Sequence, residues 1–181
     1  IASGEMELTI AGGVESMSRT PMGASLANGG NPYSARFKER YTRTPNQGIG
    51  AEMMAEKWGL TRTMLDQFSL DSHEKAGAAQ ASGAFDDQIV GITDPEGNVV
   101  LKDEGIRLGT TLEKMAALKT VFKEDGVIHA GNSSQISDGS GALLFMSAEK
   151  AKSLGLKPLA RVHTAVLAGA DPVMMLSAPI P

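Results

Sequence analysis

Apolar residues recur with changing spacing along the chain, and the changes mark its elements. Residues 6–10 (MELTI) place an apolar side chain at every second position and predict a short strand running into Gly12-Gly13. Residues 17–46 carry Pro21, Pro32, Pro45 and several glycines, and read mainly as loop. Residues 50–58 (GAEMMAEKW) read as a helix stopped by Gly59. Thr61 then caps a second helix through about Ser82, ended by Gly83. Along it Leu65, Phe68, Ser72, Lys75-Ala76 and Ala79 mark one mostly apolar stripe at three- and four-residue spacing. Residues 87–93 (DQIVGIT) and 99–101 read as two strands of a hairpin, joined by the turn Asp94-Pro95-Glu96-Gly97-Asn98. Thr111 caps a short helix over 112–119. A strand over 139–146, a helix from Ser147 to Leu154 stopped by Gly155, and a strand over 159–167 form a strand–helix–strand unit, the signature of an α/β fold.

Between residues 127–130 and the 139–146 strand lies the most distinctive stretch, HAGNSSQISDGS. A loop of glycines and small hydroxyls lets backbone N–H groups approach a ligand that a Cβ would hold away. The composition narrows what such a loop could serve. The chain has 181 residues, 41% hydrophobic and 21% charged, in the range of a globular protein of one domain or two small ones. Its net charge of −4 lacks the basic surplus of a nucleic-acid binder. No apolar stretch approaches the ~20 residues of a membrane span, and Ile1-Ala2-Ser3-Gly4-Glu5 has no signal-peptide character. Zero cysteine excludes disulfides, thiolate metal sites and a cysteine nucleophile within these residues. Aromatics are sparse at 4%, so packing relies on Ala, Leu, Ile, Val and ten Met, a side chain that adapts to a flexible apolar ligand.

Other constellations carry little chemistry. His73 sits mid-helix and reads as a surface residue, His163 lies in the last strand, and His129 adjoins the glycine–serine loop. No two have metal-ligand spacing, so no metal is expected. No G-x-S-x-G elbow supports a serine nucleophile, and Ser133 and Ser134 read as binding or loop residues. Gly12-Gly13 follows a strand, but G-x-G-x-x-G and Walker A patterns are absent. The carboxylate pairs Asp86-Asp87 and Asp103-Glu104 sit beside turns and read as solvated charge. Arg36, Lys38, Arg40 and Arg43 form a basic patch that could attract phosphates, though a solvated face or subunit contact is the expected reading.

Four segments together resemble the thiolases, the acyl-CoA acyltransferase family. AGGVESMSRTP (11–21) resembles the strand and loop that close the family's first half. GAEMMAEKWGLTRTMLDQFSLDSHEKAGAAQASGAFDDQIV (50–90) resembles its helical loop domain, and EGIRLGTTLEKMAALKTVF (104–122) the segment before its coenzyme A loop. AGNSSQISDGSGALLFMS (130–147) resembles the opening of its second half. The resemblance implies a thiolase-like α/β fold of mixed sheets with helices. It divides the chain into the end of the first half (1–22), the helical loop domain with the coenzyme A segment (23–136) and the start of the second half (137–181). The central segments are more similar to the degradative, fatty-acid β-oxidation type than to the biosynthetic acetoacetyl-CoA type.

The resemblance further implies a two-step reaction: a cysteine takes an acyl group from a 3-ketoacyl-CoA, releasing acetyl-CoA, and coenzyme A then accepts the acyl group. Coenzyme A and acyl-CoA enter as substrates, with no covalently bound cofactor. By the same resemblance Ser134 hydrogen-bonds the pantetheine, Ala130, Gly131 and Ile136 line its channel, and Phe122 and Met175 give apolar wall. Arg107 then lies near the nucleotide end, where a cation suits phosphate or adenine. From the residues alone Arg107 could instead form an ion pair, and Phe122 and Met175 could be plain core. The family's catalytic cysteines, its Asn-Glu-Ala-Phe and its Gly-His-Pro motifs have no counterpart in these residues. The chain is therefore expected to be the middle piece of a longer homo-oligomeric enzyme (dimer or tetramer), inactive alone, with exposed strand edges that favour association. The expected compartment is cytoplasmic, with mitochondrial or peroxisomal as alternatives. The rival readings are a non-catalytic thiolase-like lipid or acyl-CoA-binding protein, and a free-standing interaction module without coenzyme A affinity.

Overall fold

A computed structural model of the chain describes residues 1–41 and 43–180. They divide into two compact units, Ile1–Phe37 with Ile136–Ala168, and Lys38–Gln135 with Gly169–Pro181.

In the first unit β1 (Leu8–Glu15) pairs antiparallel with β4 (Gly139–Met146), in a register that sets Gly12 opposite Ala142 and Gly13 opposite Gly141. The strand expected to end at Gly12-Gly13 runs through both glycines. A Cβ on Gly12 would lie 2.8 Å from the Gly141 carbonyl oxygen, so the glycine permits close backbone approach inside a ladder. Beyond the strand ends, the Asp138 carboxylate accepts from the Ser18 amide (2.8 Å), the Ser18 hydroxyl (2.6 Å) and the Ser16 hydroxyl (3.2 Å). Ser147 caps α5 (Ala148–Ser153) by accepting from Lys150 N, as its sequence position predicts. Ala151 is the one buried residue of this unit among those described, while Ile10 and Val14 on β1 stay 72% and 78% exposed.

The strand expected over 159–167 does not form. Its side chains have the right composition, but a strand is defined by its ladder, and no described segment pairs with it. Leu159 and Leu167 are fully exposed. The expected strand–helix–strand unit is here a strand and a helix followed by unpaired chain.

The second unit is mostly helical. α2 (Gln47–Trp58) starts three residues before the expected point because Asn46 caps it, accepting from Ile49 N at 3.1 Å; Gly59 closes it in the left-handed region at φ +63°. α3 (Arg62–Ala81) follows, capped by Thr61 as expected and spanning about 30 Å. α4 (Leu112–Ala116), capped by Thr111, stops three residues before the predicted 119. There the Arg62 guanidinium takes the carbonyls of Met115 (2.5 Å) and Leu118 (3.0 Å). The predicted hairpin exists but is shorter. Asp86–Gln88 forms a 3-10 turn, and only β2 (Ile92–Thr93) and β3 (Val99–Val100) pair. Its turn follows residue chemistry: Asp94 accepts from the Asn98 side chain (2.9 Å) and amide (2.7 Å), which holds its carboxyl below the usual range. The 17–46 segment is not all loop. A kinked 3-10 stretch covers Ala24–Gly29, and Ser34 caps a short α1 (Ala35–Arg40) by accepting from Phe37 N. Thr42, within that segment, lies outside the described residues.

The largest departure is the inward face of α3. Asp66, Leu70 and Gly77 are its buried residues, and Phe68 of the expected stripe is 76% exposed. This face combines the hydrogen-bonding Asp66 with Leu70 and with Gly77, against which Leu108 packs, while Leu65, Ala76 and Ala79 of the expected stripe are half-buried.

Candidate functional site

The glycine–serine loop begins with the most buried side chain described, His129, which has no exposed surface. His129 caps the 3-10 turn Ala130–Asn132: its Nδ1 accepts from Gly131 N at 3.0 Å, and its own amide donates to Asn132 Oδ1 at 2.9 Å. The Ser133 hydroxyl donates to the His129 carbonyl at 2.8 Å, and the Asn132 side-chain amide to the Val127 carbonyl at 2.8 Å. On its other side the ring meets α3, with Nε2 2.6 Å from Asp66 Oδ1. Asp66 also accepts from Arg62 Nε at 3.0 Å. Hydrogen bonds thus run continuously from the end of α4 through Arg62, Asp66 and His129 to the backbone of the loop.

A second carboxylate fastens the approach to the loop. Glu52 on α2 is buried, and its oxygens accept from Val127 N (2.9 and 3.0 Å) and Ile128 N (2.8 Å). Residues 127–131 are therefore gripped by α2 at one end and by α3 at the other. Sequence reasoning missed Glu52, Asp66 and the buried role of His129. The i,i+4 spacing of Arg62 and Asp66 signals an ion pair, but nothing local couples position 66 or 52 to the loop.

The expected coenzyme A residues fall into three places. Ala130, Gly131 and Ser134 share the anchored loop, with Ala130 and Ser134 exposed and Gly131 half-buried. A Cβ on Gly131 would stand 2.7 Å from Leu118 Cδ1 and 2.9 Å from Met115 Sδ, so any larger residue here must displace these side-chain ends. Arg107 belongs to an adjoining loop. Gln135 bonds across to the Gly105 carbonyl at 3.1 Å, and Arg107 N donates to His73 Nδ1 at 3.2 Å. His73 is thus half-buried against that loop rather than a plain surface residue. The Arg107 side chain is exposed and forms no salt bridge among the described residues. Phe122 and Met175 meet neither loop in any hydrogen bond but flank the first turn of α2. The Phe122 ring covers Gly48, and Met174, beside Met175, brings its carbonyl oxygen 3.0 Å from where a Gly50 Cβ would be. Ile136 is 68% exposed and belongs to the other unit.

Beside Arg62 and Asp66 lies an open cavity of about 240 Å³, also lined by Thr63, Leu112, Glu113 and Ala116. A larger apolar groove of about 580 Å³ runs between α3 and the β2–β3 hairpin. Arg36, Lys38, Arg40 and Arg43 are exposed, with the Arg40 guanidinium 5.6 Å from the Tyr41 ring centre. Among the described residues no group of three or more His, Asp or Glu could hold a metal ion. Among the described residues no helix is long and apolar enough to cross a membrane.

Known proteins share this sequence and architecture. A probable acetyl-CoA acyltransferase of Staphylococcus epidermidis is 37% identical over 99% of this chain and 49% of its own length. One from Staphylococcus aureus is 38% identical over the same shares. The chain therefore spans about half the length of the curated relatives it matches. Among solved structures, the dimeric peroxisomal thiolase of Saccharomyces cerevisiae superposes with a TM-score of 0.70 at 30% identity, covering 85% of this chain and 40% of that one. The acetyl-CoA acetyltransferase of Syntrophomonas wolfei superposes at 0.66 with 33% identity, over 87% and 42%. These likenesses identify a partial α/β fold of the thiolase type. The family profile "Thiolase, N-terminal domain" matches residues 1–149, more than half of the sequence, and the chain belongs to the thiolase family.

Proposed function

We propose that this chain is the coenzyme A-holding part of a degradative thiolase, an enzyme that cleaves a 3-ketoacyl-CoA with coenzyme A to acetyl-CoA and a shortened acyl-CoA. The observation that carries this reading is the backbone-anchored 130–134 loop, tied by Gln135 to the loop of Arg107. The exposed Ser134 hydroxyl offers a donor and an acceptor to the pantetheine amides. The unpaired Arg107 cation offers charge to a phosphate or a face to adenine. Phe122 and Met175 give apolar wall, and Ala130 and Gly131 line the channel.

In the reaction a thiolate attacks the 3-keto carbon, the bond between carbons 2 and 3 breaks, and the departing carbanion is protonated as acetyl-CoA. Coenzyme A thiol then displaces the acyl group. No cysteine is present here, so this chain alone binds but does not turn over. The relatives' names as acetyl-CoA acyltransferases support the acyl-transfer reading. The dimeric title of the yeast structure supports a homo-oligomer, and its peroxisomal title supports that alternative to a cytoplasmic location.

Calorimetric titration of the chain with coenzyme A tests the proposal. Saturable binding is expected, weakened roughly tenfold by Ser134→Ala and by Arg107→Ala, the loss of about one hydrogen bond or exposed ionic contact each. A folded chain with no heat of binding, or wild-type affinity retained in both variants, would sink the site assignment.

A further inference from the structure

We infer that His129 and Asp66 are positioning residues that hold the 130–134 loop in its coenzyme A-receiving form; the ligand half of this inference rests on the function proposed above. A neutral imidazole carries one N–H. The Gly131 amide can only donate, so Nδ1, 3.0 Å away, must be the bare nitrogen and Nε2 must carry the proton. Asp66 selects that tautomer. Its carboxylate only accepts, and it sits 2.6 Å from Nε2 while Arg62 balances its charge.

The arrangement is an imidazole version of an Asx turn, in which a side chain bonds the backbone two residues on. Among the described residues Asp66 makes no hydrogen bond to residues 130–134, and it acts through His129. Among the described residues the charged group bonded to the ring is Asp66 of α3, with Arg62 behind it, and the buried Glu52 of α2 bonds the preceding amide of Ile128. The α4 side gives Met115 and Leu118, which close around Gly131. His129 also bonds the loop through its own amide and carbonyl, to Asn132 and Ser133. Ser134 follows directly, so the direction in which its hydroxyl leaves the loop depends on the bond between the ring and Gly131.

Two substitutions separate the two ring bonds. His129→Asn keeps an acceptor for the amide two residues on but is too short for Asp66. His129→Gln reaches toward Asp66 with its amide but offers nothing at the Nδ1 position. Nitrogen NMR of the imidazole, amide exchange at Gly131 and coenzyme A titration would be read on the chain and both variants. The expected results are a bare Nδ1 in the wild type, and a Gly131 amide protected in wild type and His129→Asn but exchanging about tenfold faster in His129→Gln. Affinity should fall no more than about threefold in His129→Asn and roughly three- to tenfold in His129→Gln.

Asp66→Asn, which can donate to Nε2, should move the ring proton to Nδ1, and this holds the inference to account should His129→Gln fail to fold. A protonated Nδ1 in the wild type, or Asn and Gln variants that behave alike, overturns the positioning role. A wild type with a bare Nδ1 and a protected Gly131 that binds no coenzyme A overturns the proposed ligand and leaves the loop geometry standing. Binding that His129→Gln leaves unchanged does the reverse.

Discussion

Replacing Glu52 by Ala should unseat residues 127–128 from α2. The Glu52 carboxylate is 7% exposed and accepts from two backbone amides, Val127 N and Ile128 N, at 2.8–3.0 Å. Removing an acceptor from a buried donor costs roughly 1–3 kcal/mol per orphaned amide. Ile128 is 8% exposed and Val127 half-buried, so its amide regains some water and falls at the low end. The sum is about 3 kcal/mol, and the better helix propensity of Ala returns only a few tenths. Against a usual stability of ~5–15 kcal/mol, that is a large fraction. Glu52→Gln keeps one carbonyl oxygen and should cost about half as much. Urea denaturation followed by far-UV circular dichroism would show a lowered midpoint at unchanged slope. A loss below about 1 kcal/mol for Glu52→Ala, or a Gln variant as unstable as the Ala variant, would refute the clamp.

The buried Asp66 and the exposed Phe68 of α3 predict a contrast that hydrophobicity would reverse. Asp66→Ala should cost about 3 kcal/mol by leaving His129 and Arg62 without their shared partner, while Phe68→Ser, at a position 76% exposed, should cost less than about 0.5 kcal/mol. Equal losses in denaturant titrations would contradict this. Thr61→Ala removes the acceptor for Met64 N and should cost about 1 kcal/mol, with Thr61→Ser restoring most of it in thermal melts. The Asp138 carboxyl is held below its ordinary value first by the Ser18 hydroxyl, then by the Ser18 amide. A group depressed in the folded state stabilises above its unfolded value, near 3.9, and loses that contribution as pH falls through the lower folded value. Carboxyl NMR titration should place the Asp138 midpoint below the ordinary aspartate value, and Ser18→Ala should move it upward. A midpoint that Ser18→Ala leaves unmoved would argue against the link.

Much of the fold was legible where the cause is local. Thr61, Thr111 and Ser147 each cap the helix they precede, and Gly59, Gly83 and Gly155 adopt the positive φ that ends one. The 94–98 turn follows from the reach of Asp94 to Asn98. What failed depends on partners far along the chain. Residues 159–167 have strand composition without a ladder, and Asp66 is buried on α3 because its partner His129 lies on a distant loop. At the site, the glycine–serine loop announced itself and Gly131 packs closely against Leu118 and Met115, while Ser134 and Arg107 came from family resemblance. His129 was visible only as a neighbour of the loop, because a lone histidine gives no sign of the carboxylate that meets it.

The double grip on residues 127–131 has a kinetic consequence. Asp66 and His129 are 63 residues apart, and Glu52 and Ile128 are 76 apart. Closing a loop of either length costs roughly 4 kcal/mol of chain entropy beyond a constant. α2 and α3 are near neighbours in sequence and their two partners are adjacent, so the second closure follows the first at little extra cost. The segment is therefore captured by both helices in one event, late relative to helix formation. Insertions between residues 82 and 126 should delay that event only slightly, by about 0.6 kcal/mol of barrier for each doubling of the loop.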